Sequence, residues 1–350
     1  MPQANVESRL EKAYVEAKSL DIDLNTARII VFSDQHKGKG DGADDFRDCK
    51  RAYHAALGYY LEKGHSLFIL GDAEELWECK AQDVIARYGD TLELERKFAS
   101  EGNRYVRFFG NHDLKWSKDV EVMKFLKPIL GDGLEVVEGL KLRVLKKGKP
   151  LGTLFFVHGH QGDPASDDFA SFSKYVVRYA WGTWQRLTGT KSATPATDFN
   201  LRKEHELAMY EWARTKKDVV MIAGHTHHPV FESTSLSATR SKELQELKAG
   251  LKGLKGAKLA QQQEKIALAS AKLNWAQAQH PDSFAEIENI KPCYFNSGCC
   301  CFSDGDITGI EICDGSIQLV RWPDDNGDPA PKEFENARAN LEEVFAACAK

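Results

Sequence analysis

What the sequence lacks narrows it first. Among its eight cysteines no two stand as C-x-x-C, which removes the common zinc and dithiol patterns, and nothing points to an oxidising compartment. The longest apolar runs, "TLFFV" and "VVMIA", are far too short to cross a bilayer. The opening "MPQANVESRLEKAYVEAKSL" has neither the basic nor the apolar region of a secretion signal and is expected to form one amphipathic helix, so a cytoplasmic location is expected. There is no basic excess: the formal charge is −5, which argues against general nucleic-acid binding. With 42% hydrophobic and 28% charged residues over 350 positions, the chain can bury a large core, and the composition does not indicate disorder.

Five short apolar runs share one design: "RIIVFSD" (28–34), "SLFILGD" (66–72), "YVRFFGN" (105–111), "TLFFVHG" (153–159) and "VVMIAGH" (219–225). Each is rich in Val, Ile, Phe or Leu and breaks at glycine or a polar residue, as buried strands do. Helical stretches separate them. Cys49, Tyr53, Ala56, Leu57 and Tyr60 share one face, with Gly64 placed to cap the end, and "TLELERKFASEG" stops at Gly102. The alternation implies an α/β fold with parallel pairing. After Ser297 come "PCYFNSGCCCF", "DITGIEIC" and "SIQLVRW", the last two split by Asp314-Gly315, a hairpin signal. With "GLEVVEG" and "KLRVLKK" they predict added antiparallel strands, hence a two-sheet sandwich with helices outside. Cys299-Cys300-Cys301 are expected to be reduced thiols buried on a core strand. "PDDNGDPAPKE" is expected to be a loop leading to one final helix.

One domain over 1–350 with two helical insertions is the expected organisation. The first insertion, 163–218, contains "FSKYVVRYAWGTWQRL". Its stripe Val177, Trp181, Trp184 and Leu187 has helical spacing, flanked by Lys174 and Arg178. The second, 233–291, carries Leu244, Leu247, Leu251 and Leu254 at the spacing of a short coiled coil or helical hairpin, interrupted by Gly250, Gly253 and Gly256. It is close to charge balance as a whole and could mediate a homo-oligomer.

The polar residues after each run carry the chemistry. They are Asp34-Gln35-His36, Gly71-Asp72, Gly110-Asn111-His112-Asp113, His158-Gly159-His160 and Gly224-His225-Thr226-His227. At the carboxyl ends of neighbouring strands they should converge. Packing carboxylates and imidazoles together has a purpose if they hold two divalent cations. Asp34, His36 and His227 would complete one site, Asn111, His158 and His225 the other, with Asp72 bridging. Oxygen and imidazole donors suit Mn²⁺, with Fe or Zn²⁺ as alternatives. Two such ions about 3.5–4 Å apart lower the pKa of a bridging water, whose hydroxide can attack phosphorus directly.

The ordered set D-x-H, G-D-x-x-E, G-N-H-D, H-G-H and G-H-T-H resembles the calcineurin-like metallophosphoesterase superfamily. The resemblance covers roughly Arg28 to Val230 and the C-terminal strands. It implies an αββα sandwich of two mixed sheets with helical insertions, two metals bridged by Asp72, and hydrolysis of a phosphate ester or anhydride. It also implies that His112 faces the leaving group as general acid, oriented by Asp113. His160 is a candidate to orient His158 or touch substrate, and Glu75 to support the ligands. Lys37 is either a phosphate contact or part of a solvated loop, and His228 a surface residue. "GDAEELWE" and "YFNSG…GIEICDGSIQLVRW" look most like the UDP-2,3-diacylglucosamine pyrophosphohydrolase-like branch, whose helical lid occupies the place of 163–218. That implies a small, amphipathic phosphorylated substrate, for which Lys174 and Arg178 beside the apolar stripe are candidate contacts. The same stripe could instead pack the lid onto the core. Against the lipid A enzyme itself stands His112, where that enzyme carries arginine. A nuclease or a non-catalytic scaffold would use the same fold. The arm offers only Trp275 and Phe284 as aromatic residues, and every ligand position is filled.

Overall fold

The apolar runs become the inner strands of two seven-stranded sheets packed face to face. A computed structural model describes residues 2–42, 44–100, 104–163, 199–279, 290–324 and 329–349. The strands are β1 (Lys18–Asp23), β2 (Arg28–Phe32), β3 (Ser66–Leu70), β4 (Tyr105–Phe108), β5 (Val136–Val137), β6 (Gly139–Lys146) and β7 (Lys149–Val157). They continue as β8 (Val219–Ala223), β9 (Pro229–Phe231), β10 (Thr234–Ser235), β11 (Tyr294–Ser297), β12 (Ile307–Cys313), β13 (Ser316–Trp322) and β14 (Lys332–Asn340). One sheet runs β1-β6-β7-β8-β11-β9-β10, the other β14-β13-β12-β2-β3-β4-β5. In the second, β2, β3, β4 and β5 are parallel neighbours. In the first, β7, β8 and β11 are parallel. Antiparallel strands extend both sheets, among them the β12–β13 hairpin. Its turn residues Asp314 and Gly315 both have positive φ (50° and 77°), as the two-residue turn that matches strand twist requires.

Among the described residues ten helices lie outside the sheets: α1 (Pro2–Glu16), α2 (Lys50–Glu62), α3 (Ala81–Arg87), α4 (Gly89–Ser100), α5 (Asp119–Phe125), α6 (Lys127–Leu130), α7 (Phe199–Thr215), α8 (Leu236–Ala249), α9 (Ala257–Gln279) and α10 (Leu341–Cys348). The core between the sheets joins Val31, Leu70 and Phe108 to Leu154, Phe156, Val220 and Ile222. A second core lies between the other face of the β2–β4 sheet and α2, whose Tyr53, Ala56, Leu57 and Tyr60 are buried. α8 and α9 pack against each other around Leu244, Ala269 and Leu273.

Three local expectations are corrected. The first 20 residues are not one helix: α1 stops at Glu16 and Lys18–Asp23 adds an edge strand beside β6. The tail is not only loop, because β14 pairs with β13 before α10. Cys299–Cys301 do not lie on a strand, since β11 ends at Ser297 and the three cysteines form the turn after it. Cys299 and Cys300 are buried there, whereas Cys301 is half-buried.

Candidate metal centre

The turns after β2, β3, β4, β7 and β8 meet at one end of the seam between the sheets. Their backbone is unusual: Asp34, His36, Asp72, His225 and His227 all have positive φ, at 52°, 48°, 50°, 68° and 58°. Non-glycine residues avoid this region, and such strain persists only where surrounding bonds hold it. Here those bonds are present. Asp34 N–H donates to Gly71 O (3.1 Å) and His36 N–H to Asp72 O (2.9 Å). His225 N–H donates to Asp34 Oδ2 (3.0 Å) and His112 N–H to Asp72 Oδ1 (2.8 Å). The motif glycines are needed for close approach. A Cβ on Gly110 would lie 2.1 Å from Asp72 Oδ1, and one on Gly71, itself at φ +87°, would strike the His158 ring at 2.5 Å.

The side chains gather in two adjoining groups. In one, His36 Nε2 lies 3.0 Å from His227 Nε2, and His227 Nε2 lies 3.3 Å from Asp34 Oδ1. In the other, Asp72, His158 and His225 place ligand atoms within 4.8 Å of one another. Asp72 Oδ2 is 3.2 Å from His158 Nε2 and 3.9 Å from His36 Nε2, so it faces both groups. Donors around one cation bound at about 2.0–2.2 Å stand about 3–4 Å apart, and these separations match. The fit extends to atoms with no other use: Asn111 Oδ1 and His158 Nε2 are buried without a hydrogen-bond partner. A cation beside them would satisfy both.

The remaining imidazole nitrogens are held from behind, as metal-binding histidines require. His158 Nδ1 donates to Leu70 O (2.6 Å), His36 Nδ1 to Glu75 Oε2 (3.2 Å), and His225 Nε2 lies 3.0 Å from Asp163 Oδ2. His227 Nδ1 faces Cys301 Sγ at 3.7 Å. A hydrogen bond with Cys299, then burial, holds the Cys301 thiol well above its ordinary range, so it stays protonated beside His227. Burial opposes ionisation of Asp72, but His158, His112 and His36 hold its carboxyl well below the usual range. In return, although burial works against it, the Glu75 hydrogen bond and nearby carboxylates raise His36 to about 10. In the bare cluster carboxylates and imidazolium groups are therefore paired, and a cation binding there would take the place of the imidazole protons.

His112 sits beside the cluster, stacked on Trp77 with ring centroids 3.9 Å apart. Its Nδ1 donates to Glu75 Oε2 at 2.5 Å, so the imidazolium form is the one that carries a second proton, on Nε2, to give. This corrects the expected role of Asp113. The Asp113 carboxylate instead accepts Gly110 N–H (2.6 Å) and Ala73 N–H (2.9 Å), tying two motif loops together. Burial, then Asp72 and Glu74, push it up to about 6. Glu75 is the residue shared by His36 and His112.

Other expectations also change. Lys37 does not lie in a solvated loop, and its ammonium is taken up by buried carboxylates. It is fully buried, 3.3 Å from Glu74 and 3.2 Å from Glu95, in a cluster completed by Arg107. His228 is not a surface residue: it is 2% exposed and its Nδ1 lies 3.0 Å from Glu206 Oε2. Among the described residues no hydrogen bond joins His160 to His158, whose Nδ1 meets Leu70 O; the two rings are 5.4 Å apart. Lys174 and Arg178 lie outside the described residues. Asp163, Glu206 and His205 had no motif to announce them. The last two are one helical turn's work, on α7, where His205 Nε2 reaches Gly159 O (2.5 Å) and Glu206 also accepts from Thr226 (2.7 Å).

The family model for calcineurin-like phosphoesterases matches residues 27–243, which spans the turns after β2, β3, β4, β7 and β8. A comparison with curated proteins returns no match. Among the described residues no helix is long and apolar enough to cross a membrane.

Proposed function

The chain belongs to the calcineurin-like phosphoesterase family and is a metal-dependent phosphoester hydrolase; from that premise we propose a site of two divalent cations acting on a small phosphorylated substrate. Asp34, His36 and His227 would hold one cation, Asn111, His158 and His225 the other, and Asp72 would lie between them. Mn²⁺ is the first choice for this oxygen and imidazole set, with Fe or Zn²⁺ next. When bound, the pair supplies Lewis acidity to water and to the phosphoryl oxygens.

The residues of the chain do the rest. Glu75 fixes the His36 and His112 rings through their Nδ1 atoms. His112 Nε2 then gives its proton to the leaving oxygen, while Trp77 keeps the imidazole plane in place. The observation that carries this reading is the pair of buried ligand atoms, Asn111 Oδ1 and His158 Nε2, left without partners beside Asp72. The substrate we infer is a phosphate ester or pyrophosphate, with the UDP-2,3-diacylglucosamine pyrophosphohydrolase branch as the nearest pattern. The test is turnover, with Mn²⁺ added, of p-nitrophenyl phosphate, bis-p-nitrophenyl phosphate and UDP-diacylglucosamine. Hydrolysis of one class and not the others would name the bond cleaved. A cation-loaded protein that turns over none of them would overturn the substrate reading.

A further inference from the structure

The insertion between β10 and β11 is rooted close to the metal centre, since β9 begins directly after His228. Its two ends are joined where Ser233 Oγ donates to Lys291 O (2.6 Å). At its base Ser237 and Arg240 are buried, with the Arg240 guanidinium 5.7 Å from the Phe334 ring centre. The helices then pack on each other through Leu244, Ala269 and Leu273, with Leu247 and Ile266 half-buried beside them.

Charge is segregated along this hairpin. Residues 233–291 hold nine basic and six acidic side chains, and the helical part, 236–279, eight basic and three acidic. Lys248, Lys252, Lys255 and Lys258 all fall at the tip, and no acid lies between Glu246 and Glu264. All four lysines are exposed. Leu251, Leu254 and Leu259 alternate with them and are only half-buried, and further along α9 Leu268 is 57% exposed.

We propose that the lysine–leucine tip of the α8/α9 hairpin docks on anionic lipid surfaces. The chain as a whole carries −5, so attraction to an anionic leaflet must come from a local basic element, and this is one. Clustered lysines interleaved with aliphatic residues suit headgroups above and acyl chains below. Nucleic acid fits less well: residues 241–274 contain neither arginine nor an aromatic residue, the groups that fork to phosphates and stack on bases. Each lysine near an anionic leaflet should multiply the partition constant by roughly fivefold, so four contribute on the order of 10²–10³.

The experiment is co-sedimentation of the full-length chain with phosphatidylcholine vesicles, with and without phosphatidylglycerol, at low and high salt. Binding is expected only to phosphatidylglycerol vesicles and should weaken as salt screens the lysines. The variant Lys248→Gln/Lys252→Gln/Lys255→Gln/Lys258→Gln should lose on the order of 10²–10³ in partitioning, with unchanged circular dichroism and metal content. A second variant, Leu251→Ser/Leu254→Ser/Leu259→Ser, should bind more weakly while keeping its salt dependence. Equal binding to both vesicle types, or none, overturns the proposal. So does a quadruple variant that still binds. Two other outcomes also refute it: the lysines capture a single-stranded RNA oligonucleotide while vesicles stay free, or they alter only the oligomeric mass in light scattering. Hydrolysis in solution is read separately, so docking and catalysis can fail independently.

Discussion

Changing Glu75 to glutamine should damage two functions at once, in amounts that can be separated. One carboxylate serves three donors: Oε2 accepts from His36 Nδ1 (3.2 Å) and His112 Nδ1 (2.5 Å), and Oε1 from Trp77 N–H (3.1 Å). Although burial opposes it, those imidazoles hold the Glu75 carboxyl down at about 2, so it is an anion at any working pH. Glutamine keeps the shape but offers one acceptor and one donor. Either Trp77 N–H or the two imidazoles must then face an NH₂ group. At His36 the loss of an outer partner should weaken cation binding by about 10–100-fold. At His112 the carboxylate no longer stands behind the imidazolium, the form in which Nδ1–H bonds Glu75 while Nε2–H can be given up, and the step should slow by up to the 10²–10⁴ expected of one acid–base group.

The assay has two arms. Calorimetric titration with Mn²⁺ reads cation affinity, and single turnover at saturating Mn²⁺ reads the step. If Glu75 acts on the step only through His112, then Glu75→Gln/His112→Ala should be no slower than His112→Ala once the cations are saturating. The reasoning fails if Glu75→Gln keeps native affinity and rate. It also fails if the two substitutions multiply in the step, because Glu75 would then act by another route.

Two further predictions follow from the same geometry. His112→Ala should keep its cations by elemental analysis and lose on the order of 10²–10⁴ in kcat, with the loss smaller for substrates whose leaving group needs no proton; an empty site in this variant would show that His112 is a ligand. Glu74→Gln should destabilise the fold by about 3–5 kcal/mol, the cost of leaving buried charges without a partner, because Glu74 answers Lys37, Arg107 and Trp116 together. Burial raises the Glu74 carboxyl, but Arg107 and Lys37 bring it to about 2 from 4.5; its stabilisation is therefore complete above about pH 4.5 and lost as pH falls through 2. Chemical denaturation between those limits should show native stability falling with acid and Glu74→Gln falling less; parallel curves would refute the pairing.

The gathering of the motif residues was legible because each follows a run whose period and composition mark a buried strand. Partners set by tertiary packing were not. Lys37 looked like a loop lysine because Glu74 and Glu95, which bury it, stand 37 and 58 residues downstream. His228 meets Glu206 across a segment with no motif of its own. The family resemblance implies that Asp113 orients His112, yet the turn aims its carboxylate back at Gly110 and Ala73. β1 and β14 were missed for a different reason. Both are edge strands, and "KSLDID" and "KEFENARAN" carry the charges that keep edges from pairing further, which hides them from any hydrophobic pattern.

Why the chemistry sits at the seam follows from how the two sheets divide the work. Turns of the β2–β3–β4 sheet supply Asp34, His36, Asp72 and Asn111, rich in oxygen. Turns of the β7–β8 sheet supply His158, His225 and His227, all imidazole. The β2–β3–β4 sheet offers a single imidazole and the β7–β8 sheet no oxygen donor, so each proposed donor group is complete only when the sheets are packed. The packing there is close: Ser33 Oγ and Ser297 Oγ are 2.7 Å apart across the seam. A Cβ on Gly224 would lie 2.6 Å from both Asp34 Oδ2 and Ser33 Oγ, so a glycine at that turn is what lets the imidazoles of one sheet reach the carboxylates of the other. Cations held this way would bind the folded chain and not the unfolded one, and so would stabilise the sheet-to-sheet contact in proportion to the logarithm of their free concentration.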